Sequence, residues 1–464
     1  MNISDLPFIF VFLPLTAVGY YVLPRSLRTV FLTAASLIFY SCFSIKYTVL
    51  LMIALAVNAA LSVIIDRLRS NSVRKTIMIV GILINVSTLC FYKYFDFLTS
   101  FFEKPDGMPE KSLMLPLGIS FFTFKAISLL VDTYKRKHSG KPGFAQAALY
   151  LSFFGQIVSG PLSRVADFET DRRFNADLFS DGVIKFVIGF SKKILLANVL
   201  YGIVTEVYAS GSTSAPYLWL GAISFSLYLY YDFSGYSEMA EGISNLFGFK
   251  CPKNFDYPYM TGSVSEFWRR WHITLGSWFR DYVYIPMGGS RVAEGRLILN
   301  LLTVWLLTGI WHGSTLNFII WGLLYFVLIT AEKLSGFPKA FRKKPAKVLY
   351  RLFSLIFINF MWVIFNSESL SKAANYIKGM VLFRSDALSD KRVLVLLREN
   401  AVIIIVAVIL CFPIVPKLRE KLKSRKTAYS VFKVLFYTAC AALFVVSVSF
   451  IITGQNNPFA YANF

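Results

Sequence analysis

Leu297-Ile-Leu-Asn-Leu-Leu-Thr-Val-Trp-Leu-Leu-Thr-Gly-Ile-Trp-His312-Gly313 holds no charged side chain and closes on a histidine. Three residues on, Leu316–Thr330 is again apolar. The run is too long for a barrel strand and does not alternate, so it is expected to be a helix at membrane depth. An ionisable ring in such a place is costly and marks a functional-site candidate by default.

Working outward, the same pattern recurs along the whole chain. Apolar runs cover roughly 7–23, 29–43, 47–65, 76–92, 112–132, 143–161, 181–205, 216–231, 297–312, 316–332, 347–365, 395–414 and 430–452. A bilayer crossing needs about 20 mostly apolar residues, so the longer runs are expected to span and those of about 15 to be short, tilted or re-entrant. This gives an all-α polytopic membrane protein with 11 to 13 membrane segments. Composition agrees: 56% of the 464 residues are hydrophobic and 16% are charged, against about 25% charged in a soluble chain. No repeat, Walker loop or appended soluble domain is visible. The expected organisation is one membrane domain, 1–464, with N-terminal helices (1–111), a core richer in Gly, Pro and aromatics (112–332) and C-terminal helices (333–464).

The net charge of +22 does not point to nucleic acid, because its distribution fits a membrane better. Arg67, Arg69, Arg74 and Lys75, then Lys135–Lys137, then Arg342, Lys343, Lys344 and Lys347, then Lys417–Lys426, all fall between apolar runs. By the positive-inside rule these connections are cytoplasmic, which puts Met1–Asp5 and the tail 455–464 outside. The lipid bilayer is thus the expected basic-face partner, and the setting is a cell membrane. The N-terminus lacks a positive n-region and an Ala-x-Ala-type site, so it reads as a first span rather than a cleaved signal. Five scattered cysteines support neither a disulfide framework nor a metal site. Cys42, Cys90, Cys411 and Cys440 are expected as small buried hydrophobes.

A second histidine stands in Ser265-Glu-Phe-Trp-Arg-Arg-Trp-His272-Ile-Thr-Leu. Read as one helix, it places Trp268 and His272 at i and i+4, with Leu275 and Phe279 continuing that face and Arg269, Ile273, Gly276 and Arg280 beside it. Such a face would present the ring to a tunnel while the arginines meet a phosphate or carboxylate. The bland readings stand beside it: a packing histidine, arginines that snorkel to the interface, and an Arg280–Asp281 ion pair. His138 sits in a basic turn and is expected to be solvated.

Ordered blocks surround these residues: Pro116-Leu-Gly-Ile-Ser120-Phe-Phe-Thr-Phe124, Gly155-Gln-Ile-Val-Ser-Gly160-Pro161, Tyr231-Asp232-Phe-Ser234-Gly235-Tyr236, Asn254-Phe-Asp-Tyr257-Pro258-Tyr259, the two histidine blocks, and Trp278-Phe-Arg280-Asp281-Tyr282-Val-Tyr284-Ile-Pro286-Met-Gly288-Gly289. Together and in this order they resemble the membrane-bound O-acyltransferase family, in its bacterial alginate O-acetyltransferase-like branch. The resemblance covers about residues 7–365. It implies a helical fold with a central tunnel or funnel and no bound cofactor. It also implies acetyl-CoA or an acyl-carrier thioester as donor, an extracytoplasmic esterase-like acetyltransferase as partner, and a polysaccharide acceptor. His312 matches the family's catalytic histidine and His272 its second one. Trp268, Arg269, Arg280, Asp281, Trp311, Asp232 and Ser234 are the candidate substrate or donor contacts. Glu241 departs from the family pattern, is expected to face water or pair with an arginine, and takes no catalytic role. D-alanyl transfer to teichoic acid is the alternative within the family. A proton-coupled transporter is the alternative outside it, although no repeated halves are visible.

Overall fold

The computed structural model describes residues 1–99, 114–137, 143–168, 173–212, 214–337, 343–382 and 391–454. His138 and the tail 455–464 lie outside the described residues. Among those described there is no strand. A π-helical turn (Phe8–Phe12) leads into α1 (Leu13–Val22), followed by α2 (Arg25–Ser41), α3 (Ile45–Arg67), α4 (Asn71–Thr99), α5 (Ile119–Tyr134) and α6 (Phe144–Ser152). Then come α7 (Ala176–Ser191), α8 (Asn198–Ala209), the long α9 (Ala215–Leu246) and two short helices, α10 (Val264–Arg270) and α11 (Ile273–Phe279). The remainder is α12 (Glu294–His312), α13 (Leu316–Ser335), α14 (Lys344–Asn366), α15 (Leu370–Val381), α16 (Lys391–Leu410), α17 (Ile414–Leu422) and α18 (Lys426–Ile452).

Each apolar run of the sequence carries a helix. Six described helices, α3, α4, α13, α14, α16 and α18, are long and apolar enough to cross a membrane. The other runs are shorter, interrupted or more polar. The run 143–161, for instance, stops being helical after Ser152, where an irregular stretch through Ser163 is almost entirely buried. Irregular backbone at membrane depth is tolerated where protein covers it. Large apolar side chains such as Val22, Leu349, Val402 and Ile452 are more than two-thirds exposed, as expected of surfaces that face lipid rather than water.

The chain forms two compact units. Among the described residues, the first falls within 1–186 and 237–253 and the second within 187–236 and 254–454. In the first, α3 packs on α4, α5 and α6, and α2 on α6. Arg74, part of a basic cluster in the sequence, is buried here rather than solvated. Its guanidinium donates to the carbonyls of Ile65 (2.9 Å), Thr133 (3.3 Å) and Tyr134 (2.8 Å), tying together the last turns of α3 and α5, where helical acceptors run short of donors. Glu241 is also buried and pairs with Lys185 at 3.6 Å, so its partner is a lysine of α7 and not an arginine. Of the four cysteines expected to be buried, Cys411 and Cys440 are, Cys90 is half-buried and Cys42 is exposed.

In the second unit, α12 and α13 form the closest helix pair, joined by the turn 313–315. Two glycines make that approach possible. A Cβ on Gly309 would lie 2.5 Å from the Phe318 carbonyl oxygen, and one on Gly322 would lie 2.5 Å from that of Trp305. Small residues are what let helices meet this closely. The pairing fixes the C-terminal turn of α12, which carries Trp311 and His312.

Candidate active site

His312 is the last residue of α12 and is buried. Its ring lies 5.0 Å from Phe365 of α14 and 5.1 Å from Trp321 of α13, both nearly edge-on, and 4.5 Å from its neighbour Trp311. Trp311 in turn approaches the His272 ring at 6.3 Å. One indole therefore touches both histidines. The sequence separates them by 40 residues, and the fold brings them to one tryptophan.

The His272 stretch is not a single helix. α10 ends at Arg270, His272 has φ 44° and ψ 51°, and α11 begins at Ile273. The i, i+4 face linking Trp268, His272, Leu275 and Phe279 is thereby broken. The reason lies elsewhere in the chain: the Asn254 carbonyl accepts from Ile273 N–H at 2.9 Å, and the Arg270 carbonyl accepts from Asp256 N–H at 2.9 Å. These contacts pull the backbone out of the helix at the histidine. His272 Nδ1 lies 3.1 Å from Asn254 Oδ1, and Phe233 stands edge-on to the ring at 4.6 Å. His272 sits in this junction, outside the spanning helices, and burial lowers its pKa to about 3. Desolvation disfavours the imidazolium, so the ring is neutral at physiological pH.

α10 is held from α13. The Glu332 carboxylate accepts from Val264 N–H (2.8 Å) and Ser265 N–H (2.7 Å), and from the Tyr350 hydroxyl (2.7 Å), while Ser263 caps Glu266 N–H at 3.1 Å. A carboxylate on the first N–H groups of a helix is favourable both as acceptor and against the helix dipole. This fixes Trp268, whose ring packs at 5.0 Å on Trp305, 5.0 Å on Tyr325 and 5.6 Å on Trp321. A wall of aromatic rings thus runs from His312 through Trp321 to Trp268. In it, Nε1 of Trp268, Trp321 and Trp362 and the Tyr325 hydroxyl are buried and have no hydrogen-bond partner among the described residues. Buried donors in native proteins are nearly always satisfied, which sets these four groups apart from the packing around them.

Next to Trp268, Arg269 is exposed and lines a cavity of about 730 Å³ with Lys333, Lys347, Arg351, Glu266 and Glu332. The other candidates are placed differently. Asp232 is fully buried in an ion pair with Lys193 at 2.6 Å, and that pairing occupies its carboxylate. Ser234 is buried, its hydroxyl with no partner among the described residues, and it is Phe233 between them that reaches His272. Arg280 and Asp281 pair with each other at 3.0 Å, with Arg280 largely exposed. That is the ion pair of the bland reading.

Sequence reasoning missed Asn254, Glu332, Lys193 and Trp321. Asn254 stood in a quoted block and carried a signal, namely a polar residue capable of capping just upstream of an aromatic-proline stretch. The other three had none that periodicity could supply.

Comparison with known proteins agrees with this picture. A model of the membrane-bound O-acyltransferase family matches residues 17–371. The peptidoglycan O-acetyltransferase of Helicobacter pylori is 34% identical over 413 residues, covering 81% of this chain and 78% of the relative. A probable alginate O-acetylase of Azotobacter vinelandii is 33% identical over 403 residues, covering 84% and 80%. The teichoic acid D-alanyltransferase of Bacillus subtilis is 31% identical over 239 residues, covering 48% and 60%. The chain belongs to the membrane-bound O-acyltransferase family and is a multi-pass membrane O-acyltransferase.

Proposed function

We propose that this enzyme moves an acetyl group from a cytoplasmic thioester donor, acetyl-CoA or an acyl carrier, across the cell membrane for O-acetylation of a secreted or cell-surface polysaccharide. The observation carrying this reading is the Trp311 contact with both histidine rings, at one end of an aromatic wall whose other end, Trp268, is the sequence neighbour of the cavity-lining Arg269. His312 is the general base. As the acceptor hydroxyl attacks the thioester carbonyl, the His312 imidazole takes its proton. An ester C–O bond forms, the C–S bond breaks, and the imidazolium returns the proton to the leaving thiolate. His272 is its electrostatic and positioning partner. The dry aromatic surroundings strengthen any donor aimed at the developing oxyanion.

Arg269, with Lys333, Lys347 and Arg351 around the same cavity, suits the anionic end of the donor, since phosphate groups are bound by such forks and ammonium groups. The wider coverage of the two acetylating relatives, against 48% for the D-alanyl-transferring one, favours acetyl over D-alanyl. An extracytoplasmic esterase-like acetyltransferase is the expected partner.

Sidedness follows from charge. Arg291 precedes α12, Arg296 lies in its first turn, and Lys343, Lys344 and Lys347 follow α13, so both flanks are cytoplasmic and the N-terminus is extracytoplasmic. At 1.5 Å per residue His312 is about 24 Å along its helix from Arg296. In a core about 30 Å thick that places the ring in the outer half. A long donor arm reaches it from inside and a sugar hydroxyl from outside. The test uses sealed vesicles of both orientations: inside-out vesicles consume externally added donor and right-side-out vesicles do not. Equal consumption by both would overturn the cross-membrane reading. Mass spectrometry of surface polymers from wild-type and deletion cells identifies the acceptor.

A further inference from the structure

His272 has a backbone conformation rare for side chains other than glycine, and strain of this kind persists only where surrounding structure enforces it. Asn254 enforces it. This residue is fully buried. Its backbone carbonyl takes the Ile273 N–H, and its side-chain Oδ1 takes the Thr274 N–H at 3.2 Å and the Thr274 hydroxyl at 2.8 Å. The same Oδ1 lies 3.1 Å from His272 Nδ1.

The orientation of the amide is settled by its neighbours. A backbone N–H can only donate, so the end of the Asn254 amide facing Thr274 is the oxygen. That oxygen can only accept, so the His272 nitrogen facing it carries the ring proton. A neutral imidazole has one N–H and one lone pair, and the lone pair is therefore on Nε2. The opposite tautomer would set the Nδ1 lone pair against the amide oxygen. Phe233, edge-on at 4.6 Å, limits rotation of the ring, and the low pKa imposed by burial keeps it neutral.

We infer that Asn254 is a positioning residue for acyl transfer: by accepting from Nδ1 it locks His272 in the tautomer whose Nε2 can only receive a hydrogen bond or a proton. The catalytic meaning of that lone pair rests on the acyltransferase mechanism proposed above, whereas the tautomer itself does not. It makes His272 an acceptor in the reaction and excludes it as an N–H donor to the oxyanion through Nε2.

The chain has three histidines, which makes the tautomer directly measurable. The experiment is ¹⁵N NMR of the full chain in detergent micelles, labelled at histidine, with His272 assigned by the signal lost in His272→Gln. The wild-type ring is expected to carry its proton on Nδ1. Asn254→Leu should release that proton to Nε2 and lower kcat about 100-fold, within the usual range for general acid–base positioning, with the KM for donor unchanged. Asn254→Asp, which keeps the acceptor oxygen, should restore the Nδ1 proton and most of the turnover. A wild-type ring protonated on Nε2 overturns the inference, as does an Asn254→Leu variant that keeps both tautomer and kcat. If Asn254→Leu fails to fold, the wild-type and Asn254→Asp spectra decide alone: Nδ1–H in both supports it, and Nε2–H in either overturns it. Wild-type protein with the Nδ1 tautomer but no transfer from any thioester would sink the mechanism and leave the tautomer standing.

Discussion

In the first unit Lys125 is 1% exposed, yet its ammonium reaches the Tyr150 carbonyl at 3.2 Å and Gln156 Oε1 at 3.0 Å. The Gln156 amide continues to the Ser244 hydroxyl at 3.0 Å. Asn58 and Asn85 exchange side-chain hydrogen bonds of 3.1 and 2.7 Å between α3 and α4. In the second unit the wall beside His312 buries three indole N–H groups and a phenol that meet no acceptor among the described residues. Both regions bury polarity, but the Lys125 and Asn58–Asn85 contacts answer donor with acceptor, and the indoles of the wall do not. A network that satisfies itself holds helices together, and on the proposed function the open donors of the wall serve a ligand that arrives. On the function proposed above, the difference separates a buried lysine that serves the structure from histidines that serve the chemistry, although by residue type alone both would be suspects.

The largest test of this contrast is His312→Ala. Acyl transfer by the purified variant should fall by at least about 100-fold, the lower end of what general base catalysis contributes, while membrane abundance and elution on size exclusion stay normal. Wild-type transfer by that variant would remove His312 from the chemistry. His272→Ala should be the milder lesion, about 10- to 100-fold in kcat, because a residue that positions or stabilises leaves the base in place. Equal and complete loss in both variants would mean that the two rings act as one unit rather than as base and partner.

On the structural side, Lys125→Ala strands the Gln156 oxygen and the Tyr150 carbonyl in a dry interior. Leaving buried groups unsatisfied costs about 1–3 kcal/mol, to be read as a lowered thermal midpoint in detergent. Turnover per folded molecule should be unchanged. If turnover falls while the midpoint holds, Lys125 belongs to the chemistry and the contrast between the two regions fails.

The helices were legible because lipid leaves so few options: an uncharged run such as 297–312 has nowhere to be but in a helix. The two histidines stood out as candidates for a related reason, as ionisable groups inside or beside strongly apolar stretches. The break at His272 was not. Trp268, His272, Leu275 and Phe279 satisfy a helical spacing, and what overrides it is a pair of backbone hydrogen bonds to residues 254 and 256. No local pattern contains a contact across that gap. The ion pair of Asp232 was hidden for a related reason. Its motif was visible, but its partner Lys193 lies 39 residues upstream, in a π-helical turn (Lys192–Ala197) that propensity does not announce. Charge misled in the same way at Arg74, where a cation in the first turn of α4 reaches the ends of α3 and α5 instead of facing the membrane surface.

The smallest predicted effect discriminates best. Tyr325 is fully buried, its ring packed at 5.0 Å on both Trp268 and Trp321 and at 5.3 Å on Trp305, and its hydroxyl has no partner among the described residues. Tyr325→Phe removes one oxygen and keeps the ring, so the packing survives. Deleting a buried polar atom that bonds to nothing should hold or raise the thermal midpoint, because its desolvation cost of about 1–3 kcal/mol disappears. If the open donors of the wall instead serve a bound acyl donor, the same variant loses one hydrogen bond in the complex, worth about 0.5–1.5 kcal/mol. That corresponds to a fall in kcat/KM for the donor of roughly 2- to 10-fold. Stability and activity are thus expected to move in opposite directions from a single atom. A variant that loses stability and keeps its kinetics would show that the hydroxyl is bonded within the protein, and the wall would then be packing rather than a path.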